Sequence, residues 1–379
     1  MQSPVYLDYN ATAPLRPAAA EAMARASALT GNASSVHSFG RQARAAIETA
    51  REQVAALAGA KPAQIVFTSG GTEANNLAIA GSGRARILVS AIEHDSVLAA
   101  APSAERIPVT SDGVVDLAAL QHLLQVDARP ALVCVMLANN ETGAIQPLAE
   151  IVVIAHRAGA LVHCDAVQAA GKLPLDFATL GTDLMSLSAH KFGGPKGAGA
   201  VVVADNVPFT AQLRGGGQER GRRAGTENIA AIAGFGAAAD EARHDLSRLE
   251  AIAAMRDWLE RDAVADVSAA RIIAAKPPRL ANTSCLALPG ASSETLVMAL
   301  DLAGVAVSAG SACSSGKVKA SHVLKAMGLG DEIAGSAIRV SLGWASKAAD
   351  VERFLEVWNE FAGRRGLSGP AAPAGLTAA

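Results

Sequence analysis

The chain has 379 residues; 50% are apolar, 3% aromatic and 18% charged, and the formal net charge is -2. At about 150 residues per domain, this length predicts one large domain and a smaller one. The apolar content excludes a mostly disordered chain, and the balanced charge offers no field for a polyanion, so we expect no nucleic-acid partner. No signal-peptide pattern and no apolar run of about 18 residues is found, which predicts a soluble cytoplasmic protein without a membrane partner.

In chain order, apolar strand-like runs alternate with helical patterns between residues 16 and 248. This alternation predicts an α/β domain with a mainly parallel sheet. The predicted strands are Ile65–Thr68, Arg86–Ser90, Ala131–Leu137, Leu161–Cys164, Leu184–Leu187 and Ala200–Val203, and the predicted helices are Gln42–Gly59, Thr72–Ala80, Asp116–Gln125 and Leu148–Ala158.

A different alternation follows a long Ala-rich helix that is predicted from Asn228 to Leu259. It predicts a small α+β domain, formed by residues 1–15 and 249–365, whereas residues 366–379 have too little apolar surface to fold and are expected to form a flexible tail. The predicted strands here are Val267–Ile273, Thr283–Leu288, Val305–Val307 and Ala337–Leu342, with helices at Ser293–Leu302 and from Ala348 onward.

One segment that follows an apolar strand contains a lysine, in the sequence Ser188-Ala189-His190-Lys191. A lysine at the end of a strand can form a Schiff base with a carbonyl cofactor, because burial and nearby cations lower its pKa. An ordinary solvated turn lysine is the alternative. Lys196 is a rival, but it follows a Gly-Pro turn five residues farther on, and Lys191 is the better candidate.

Two further segments also lie at the ends of predicted strands. The turn from Thr68 to Asn76 lies between a strand and a helix, where backbone N–H groups can bind a phosphate, although such glycine turns also occur for conformational reasons alone. His163 and Asp165 end another strand on one face, with Cys164 opposite. Asp165 can hold a protonated pyridine nitrogen; half of a metal site is the alternative, but no third ligand accompanies it and we expect no metal.

The four cysteines are far apart in the sequence, which argues against a zinc knuckle or a disulfide framework. Cys134 and Cys285 lie in apolar strands and Cys164 points away from Asp165, so we expect all three to be buried. Cys313 differs, because its neighbours are small residues followed by Lys317 and Lys319. A mobile thiol near cations suits attack by a thiolate.

These motifs jointly resemble those of one family, over nearly the whole chain from Tyr6 to about Gly343. The matching segments also include Gly31-Asn32, Ile92-Glu93-His94, Asn139-Asn140-Glu141-Thr142-Gly143, Gly215 to Thr226, Ser308-Ala309-Gly310-Ser311-Ala312-Cys313 and Ile338-Arg339-Val340-Ser341. The chain is similar to the pyridoxal-phosphate-dependent cysteine desulfurases of the NifS/IscS type, in the class V aminotransferase group. The resemblance implies the α/β architecture of fold type I, with a large mainly parallel-sheet domain and a smaller α+β domain.

The resemblance also implies residue roles. Lys191 would bind pyridoxal 5′-phosphate covalently, Asp165 would pair with its ring nitrogen, Gln168 would contact its phenolic oxygen and His94 would stack on the ring. Asn140 would lie beside cofactor and substrate, and Arg339 would hold the substrate carboxylate. The phosphate would be bound by Gly71, Thr72, Ser188 and His190, and by Thr226 from a second subunit, which implies a homodimer.

By the same resemblance, the reaction is the conversion of L-cysteine to L-alanine. Cys313, on a loop of about residues 308–320, would take the sulfur as a persulfide and pass it to an acceptor such as an iron–sulfur scaffold protein. His94 and Lys191 are the candidate proton carriers. Selenocysteine lyase, another class V aminotransferase and a cofactor-free scaffold are the alternatives.

Overall fold

The computed structural model describes residues 4–310 and 321–369, in which helices and strands alternate. The helices are α1 (Pro17–Ser27), α2 (Ser38–Ala58), α3 (Gly71–Gly81), α4 (Asp95–Leu98), α5 (Leu117–Val126), α6 (Leu148–Arg157), α7 (Phe177–Leu180), α8 (Ile229–His244), α9 (Leu249–Ala265), α10 (Ser293–Leu302), α11 (His322–Ala326), α12 (Asp331–Ser336) and α13 (Ala348–Arg364). The strands are β1 (Val5–Tyr6), β2 (Ile65–Thr68), β3 (Arg86–Ser90), β4 (Glu105–Ile107), β5 (Ala131–Met136), β6 (Leu161–Asp165), β7 (Leu184–Ser188), β8 (Gly199–Val203), β9 (Arg271–Ile272), β10 (Thr283–Ala287), β11 (Val305–Ala306), β12 (Ser308–Ala309) and β13 (Ala337–Ser341).

A seven-stranded sheet forms the larger part of the fold, in the order β2-β8-β7-β6-β5-β3-β4. Strands β3 to β7 are parallel, whereas β8 runs antiparallel to both β2 and β7. Alternate residues of β5 enter different clusters: Val133 packs with α2, α6 and α8, and Cys134 packs with α3 and α4. Helices therefore cover both faces, and the predicted mainly parallel sheet is confirmed.

A smaller antiparallel sheet, in the order β12-β13-β10-β9, packs with α9, α10 and α13. The core between them includes the fully buried Trp358, whose indole N–H donates to the Ala263 carbonyl at 3.0 Å. Leu7 lies in this core, while Ala13 donates to the His190 carbonyl near the larger sheet. The N-terminal segment therefore joins the two parts, and the smaller α+β part is confirmed; the domain boundaries stay a prediction.

The long helix predicted from Asn228 to Leu259 is wrong. The chain forms α8 and α9, separated by a tighter 3₁₀ turn at Asp245–Arg248. The carboxylate of Asp245 accepts from the buried Arg16 at 2.7 Å, and the Ser247 hydroxyl bonds back to the His244 carbonyl. These polar groups compete with the backbone hydrogen bonds of a continuous helix, so the alanine pattern alone does not show where the helix breaks.

The strand predicted at Val267–Ile273 is also largely wrong, because only Arg271–Ile272 (β9) of this range forms a strand. Ala270 turns back to the Val267 carbonyl, and Ala274 has a φ of 52°, which ends the strand. After α13, Gly369 pairs with Val267 and Leu367 packs on the smaller core, while residues 370–379 of the predicted tail lie outside the described residues. Among the described helices, none is long and apolar enough to cross a membrane.

Candidate active site

A pocket of about 320 Å³ opens at the carboxyl edge of the parallel strands. Strands β6 and β7 end there at Asp165 and Ser188, because parallel neighbours terminate at the same edge. Residues that follow β3 and β5 enter from one side, and β13 of the smaller sheet approaches from the other. The sequence-predicted residues that line the pocket are Gly71, Thr72, His94, Asn140, Asp165, Gln168, Ser188, His190, Lys191 and Arg339.

Lys191 lies in a short 3₁₀ turn directly after β7. Its Nζ donates to the backbone carbonyls of Asn10 at 2.7 Å and Ala11 at 2.9 Å. Both carbonyls belong to the N-terminal segment, so that segment fixes the position of the amine. The turn places the amine in the pocket, as a lysine that reacts with a carbonyl compound requires.

Asp165 is held by a chain of hydrogen bonds that leads to His94. Asn75 donates from its amide nitrogen to the Asp165 carboxylate at 2.7 Å and to the Ser96 hydroxyl at 2.8 Å. The backbone N–H of Ser96 donates to Nδ1 of His94 at 3.0 Å, so the proton of the neutral ring is on Nε2. Burial lowers the pKa of His94, which favours this neutral form. Sequence reasoning missed Asn75 as an orienting residue.

The N-terminus of α3 forms one end of the site. At Gly71 a Cβ would meet Val167 at 3.0 Å and Ser188 at 3.2 Å, so glycine permits this close packing. The His190 ring lies there too, and burial together with the charges of Lys191 and Lys196 lowers its pKa to about 4. Backbone N–H groups at the start of an eleven-residue helix and the nearby Ser188 hydroxyl suit an anion.

Arg339 enters from β13 and is almost fully buried. Its guanidinium donates to the Asp8 carboxylate at 2.8 Å and to the Asn140 carbonyl at 3.0 Å. Its Nε, also buried, has no hydrogen-bond partner among the described residues. A fixed guanidinium at the mouth of a pocket suits a carboxylate ligand.

Two buried acids beside the pocket were not singled out as site residues from the sequence. Burial raises the pKa of Glu93 to about 8 and that of Glu141 to about 7. Glu141 lines the pocket and accepts from the Ser321 hydroxyl at 2.5 Å. Glu93 accepts from the Ser90 hydroxyl at 2.6 Å and from the Met136 N–H at 2.7 Å, whereas the partner of Glu141 is 180 residues away in sequence.

Asn10 and Lys172 were missed in the same way. The Asn10 side chain accepts from Lys172 and Asn282 and donates to Thr283 and to the Asn140 carbonyl. It therefore links the N-terminal segment to both sheets. Asn10 lies near the start of the stretch from Tyr6 to about Gly343 that resembles the family, and this was the available signal.

Two predicted site residues are not brought into this pocket. Thr226 lines a separate cavity with Ser69, Gly197 and Arg223, and its role from a second subunit stays a prediction. Cys313 and most of its loop lie outside the described residues. Cys134, Cys164 and Cys285 are fully buried, as predicted, and burial raises the pKa of each thiol.

The arrangement fits pyridoxal 5′-phosphate. An amine at Lys191, a buried carboxylate at Asp165 and an anion-binding helix end at Gly71 line one pocket. The Nδ1 atom of His190 is buried and without a partner among the described residues, which leaves a polar atom for a ligand at that end. No described group of three or more His, Cys, Asp or Glu side chains could hold a metal ion.

Comparisons with known proteins agree with this geometry. Residues 5–354 match the model of the class-V aminotransferase family. The chain is 46% identical over 373 residues to a cysteine desulfurase of Cereibacter sphaeroides, covering 93% of this chain and 94% of that protein. It is 42% identical over 371 residues to an IscS-like cysteine desulfurase of Mycobacterium tuberculosis, with coverage of 93% and 94%.

A solved structure agrees as well. The X-ray structure of a NifS-like protein from Rickettsia africae superimposes with a TM-score of 0.87 at 36% identity, covering 94% of this chain and 99% of that one.

Proposed function

The chain belongs to the class-V aminotransferase family and within it to the cysteine desulfurases, and we propose that it converts L-cysteine to L-alanine with transfer of sulfur to Cys313. The observation that carries the proposal is the pocket itself. Asp165 ends β6, Lys191 lies in the short 3₁₀ turn that follows the neighbouring parallel strand β7, and Arg339 lines the same pocket from the smaller sheet. An amine, a carboxylate and a carboxylate-binding guanidinium are the groups that this amino-acid chemistry needs.

The pocket residues would hold pyridoxal 5′-phosphate in a defined orientation. Lys191 would bind its carbonyl carbon, Asp165 would pair with the ring nitrogen, and Gln168 would donate to the phenolic oxygen. The phosphate would lie at the start of α3, against Gly71, Thr72, Ser188 and His190. When bound, the cofactor supplies an electron sink for the substrate carbon.

The chain's own residues then orient the substrate and move protons. Arg339 binds the carboxylate of L-cysteine, with Asn140 beside it. Lys191 and His94 carry protons, and the neutral His94 ring is suited to this because its pKa is lowered by burial. The hydrogen bonds that Asp165 accepts from Asn75 and the Val167 N–H hold its carboxylate in position.

Sulfur transfer is assigned to Cys313. Its thiolate attacks the sulfur of the substrate, an S–S bond forms and the substrate C–S bond breaks. The electron pair of that bond passes to the substrate carbon, which takes up protons and leaves as L-alanine. The enzyme retains a persulfide on Cys313, and an acceptor protein such as an iron–sulfur scaffold takes the sulfur. Thr226 of a second subunit completes the phosphate site in a cytoplasmic homodimer.

An absorption spectrum of the purified chain, before and after L-cysteine with a reductant, tests the proposal. We expect a near-ultraviolet to visible band that shifts on addition, with sulfide and alanine formed in equal amounts. Cys313→Ser should keep the spectral shift and make no sulfide, whereas the buried-cysteine control Cys134→Ala should keep both. A chain that stays colourless and inert with pyridoxal phosphate would refute the proposal.

The other class V reactions are separated by the same assay. Activity that requires a 2-oxo acid would identify an aminotransferase. Selenocysteine turnover by the Cys313→Ser variant, without turnover of cysteine by the native chain, would identify a selenocysteine lyase.

A further inference from the structure

Behind Lys191 lies a second lysine, Lys172, which the mechanism above does not use. It is 8% exposed, and its Nζ donates to the Gln168 side-chain oxygen at 2.7 Å and to the Asn10 side-chain oxygen at 2.8 Å. No carboxylate lies within 4.0 Å of this amine among residues 4–310 and 321–369, since none of their ion pairs includes it. A buried lysine without an acidic partner is costly, so its retention calls for a reason.

The contacts of Lys172 determine which way the Gln168 amide points. Because Lys172 donates to Oε1, that atom is the acceptor, and Nε2 donates to the Asn10 carbonyl at 2.9 Å. The remaining N–H of this amide is then left for the pocket that Gln168 lines. A hydrogen bond accepted at Oε1 also polarises the amide and makes the N–H a stronger donor.

Asn10 connects the two lysines. Its backbone carbonyl accepts from both Gln168 and Lys191, and its side-chain oxygen accepts from Lys172. Moving the Lys172 amine would therefore disturb both the Gln168 amide and the carbonyl that holds Lys191. The amines of Lys172 and Lys191 therefore belong to one hydrogen-bonded network.

We propose that Lys172 is a positioning residue that acts through Gln168 and Asn10, directing an amide donor into the pocket and fixing the Lys191 amine beside it. The identity of the ligand that Gln168 contacts rests on the proposed function, whereas the geometry of the network is independent of it.

Electrostatics support the same assignment. Burial, followed by the charges of Lys191 and Arg339, lowers the pKa of Lys172. The charged groups around the network are these two cations, with Asp165, His94 and His190 on the pocket side of Lys191. Protonation of either lysine disfavours protonation of the other. Removing Lys172 should therefore make Lys191 easier to protonate.

The test compares Lys172→Met, which keeps the length and removes donor and charge, with Lys172→Gln, which keeps a donor. Lys276→Met, at an exposed lysine, is the control. In the cofactor-loaded chain we expect Lys172→Met to raise the apparent pKa of the absorbance transition by about one unit. Lys172→Gln, which is uncharged like Met, should shift the transition in the same direction while keeping a donor for the network, and Lys276→Met should leave the transition unchanged.

A double-mutant cycle separates positioning from folding. If Lys172 acts through Gln168, Lys172→Met should weaken cofactor binding about tenfold in the native background and less than about twofold in a Gln168→Ala background. Additive losses, or a lower melting temperature with an unchanged titration in both Lys172 variants, would overturn the inference.

A cofactor-free measurement keeps the inference distinct from the proposed function. In the unloaded full chain, reductive methylation of Lys191 by formaldehyde with cyanoborohydride as the hydride donor, followed by peptide mass spectrometry, reports the unprotonated fraction of its amine. We expect Lys172→Met to shift the pH dependence of this reaction upward. A native chain that binds no cofactor would refute the proposed function alone, whereas identical methylation profiles would refute the role of Lys172.

Discussion

At the scale of single residues, Asp165 offers the sharpest test of the proposed cofactor orientation. It is buried and accepts hydrogen bonds from Asn75 and the Val167 N–H. Asp165→Asn keeps the shape but removes the negative charge that pairs with a ring nitrogen. We expect kcat/KM for L-cysteine to fall by about 100-fold or more with the melting temperature little changed.

The matched control is Asp205→Asn, because Asp205 forms an exposed ion pair with Lys61 at 2.9 Å. That variant should keep full activity, since an exposed ion pair contributes little to the stability of the fold. A fully active Asp165→Asn variant would contradict the proposed pairing.

Glu93 predicts a pH dependence of stability. Burial raises its folded pKa to about 8, while the unfolded value is about 4.3. The folded chain therefore binds the proton more tightly, and this carboxyl's contribution to stability, complete below pH of about 4.3, is lost as the pH rises through about 8. Glu93→Gln, which cannot ionise, should gain stability over the native chain between pH 5 and 8.5, on the order of a few kcal/mol.

Urea unfolding of both chains at several pH values measures this difference. Subtracting the two profiles cancels other titrating groups, such as His163, whose pKa burial lowers to about 4. The exposed Glu150→Gln variant is the control for removing a carboxylate at the surface. A flat difference for Glu93→Gln would show that burial does not raise the pKa of Glu93.

The sequence indicated some site residues and missed others for a physical reason. Lys191 and Asp165 directly follow apolar strands, and parallel strands end at one edge, so their meeting could be predicted. Asn10 bonds to Lys172, 162 residues away, and to Lys191, 181 residues away, and Glu141 bonds to Ser321, 180 residues away. Only tertiary structure brings such partners together.

At the scale of secondary-structure elements, α11 begins at a cap that also contacts the pocket. The Ser321 hydroxyl accepts from the Leu324 N–H at 3.1 Å and donates to Glu141 at 2.5 Å. In the chain, Cys313 lies between Gly310 and Ser321, so this cap holds one end of its segment. Ser321→Ala should cost about 1–3 kcal/mol of stability and lower kcat about tenfold, with the cofactor spectrum unchanged.

Ser292 provides the control, because it caps α10 by accepting from the Thr295 N–H at 3.2 Å and is exposed. Ser292→Ala should lose about 1 kcal/mol of stability and no activity. Denaturant unfolding and steady-state kinetics of both variants check this. If Ser321→Ala retained the native kcat, the cap would have only a structural role.

Elements with strong local patterns were predictable, and elements defined by tertiary contacts were not. Strands β2 and β3 and helix α10 have the predicted bounds. The break at Asp245–Arg248 escaped prediction, since it depends on Arg16, more than 200 residues earlier. The edge strand β4 has three residues, of which only Ile107 is buried. Its apolar pattern is therefore too short to detect in the sequence.

At the scale of the whole molecule, the chain's own Thr226 does not line the pocket, which suits the proposal that it acts on a second subunit's site. Subunit mixing tests this directly. Lys191→Ala removes the reactive amine, and Thr226→Asp places a carboxylate against the phosphate. Each variant alone should be inactive, because every site in the proposed homodimer carries the defect.

A mixed dimer distinguishes action between subunits from action within one subunit. If Thr226 serves the partner's site, one site of the mixed dimer combines Lys191 of one chain with Thr226 of the other and is intact, while the second site carries both defects. Random mixing makes about half of the dimers mixed, so unfolding and refolding the variants together should restore about a quarter of native activity per subunit. If Thr226 acts within its own chain, every site has a defect and the mixture stays inactive. Co-refolded Lys191→Ala and Asp165→Asn, two defects of one pocket, provide the control that should stay inactive in both cases.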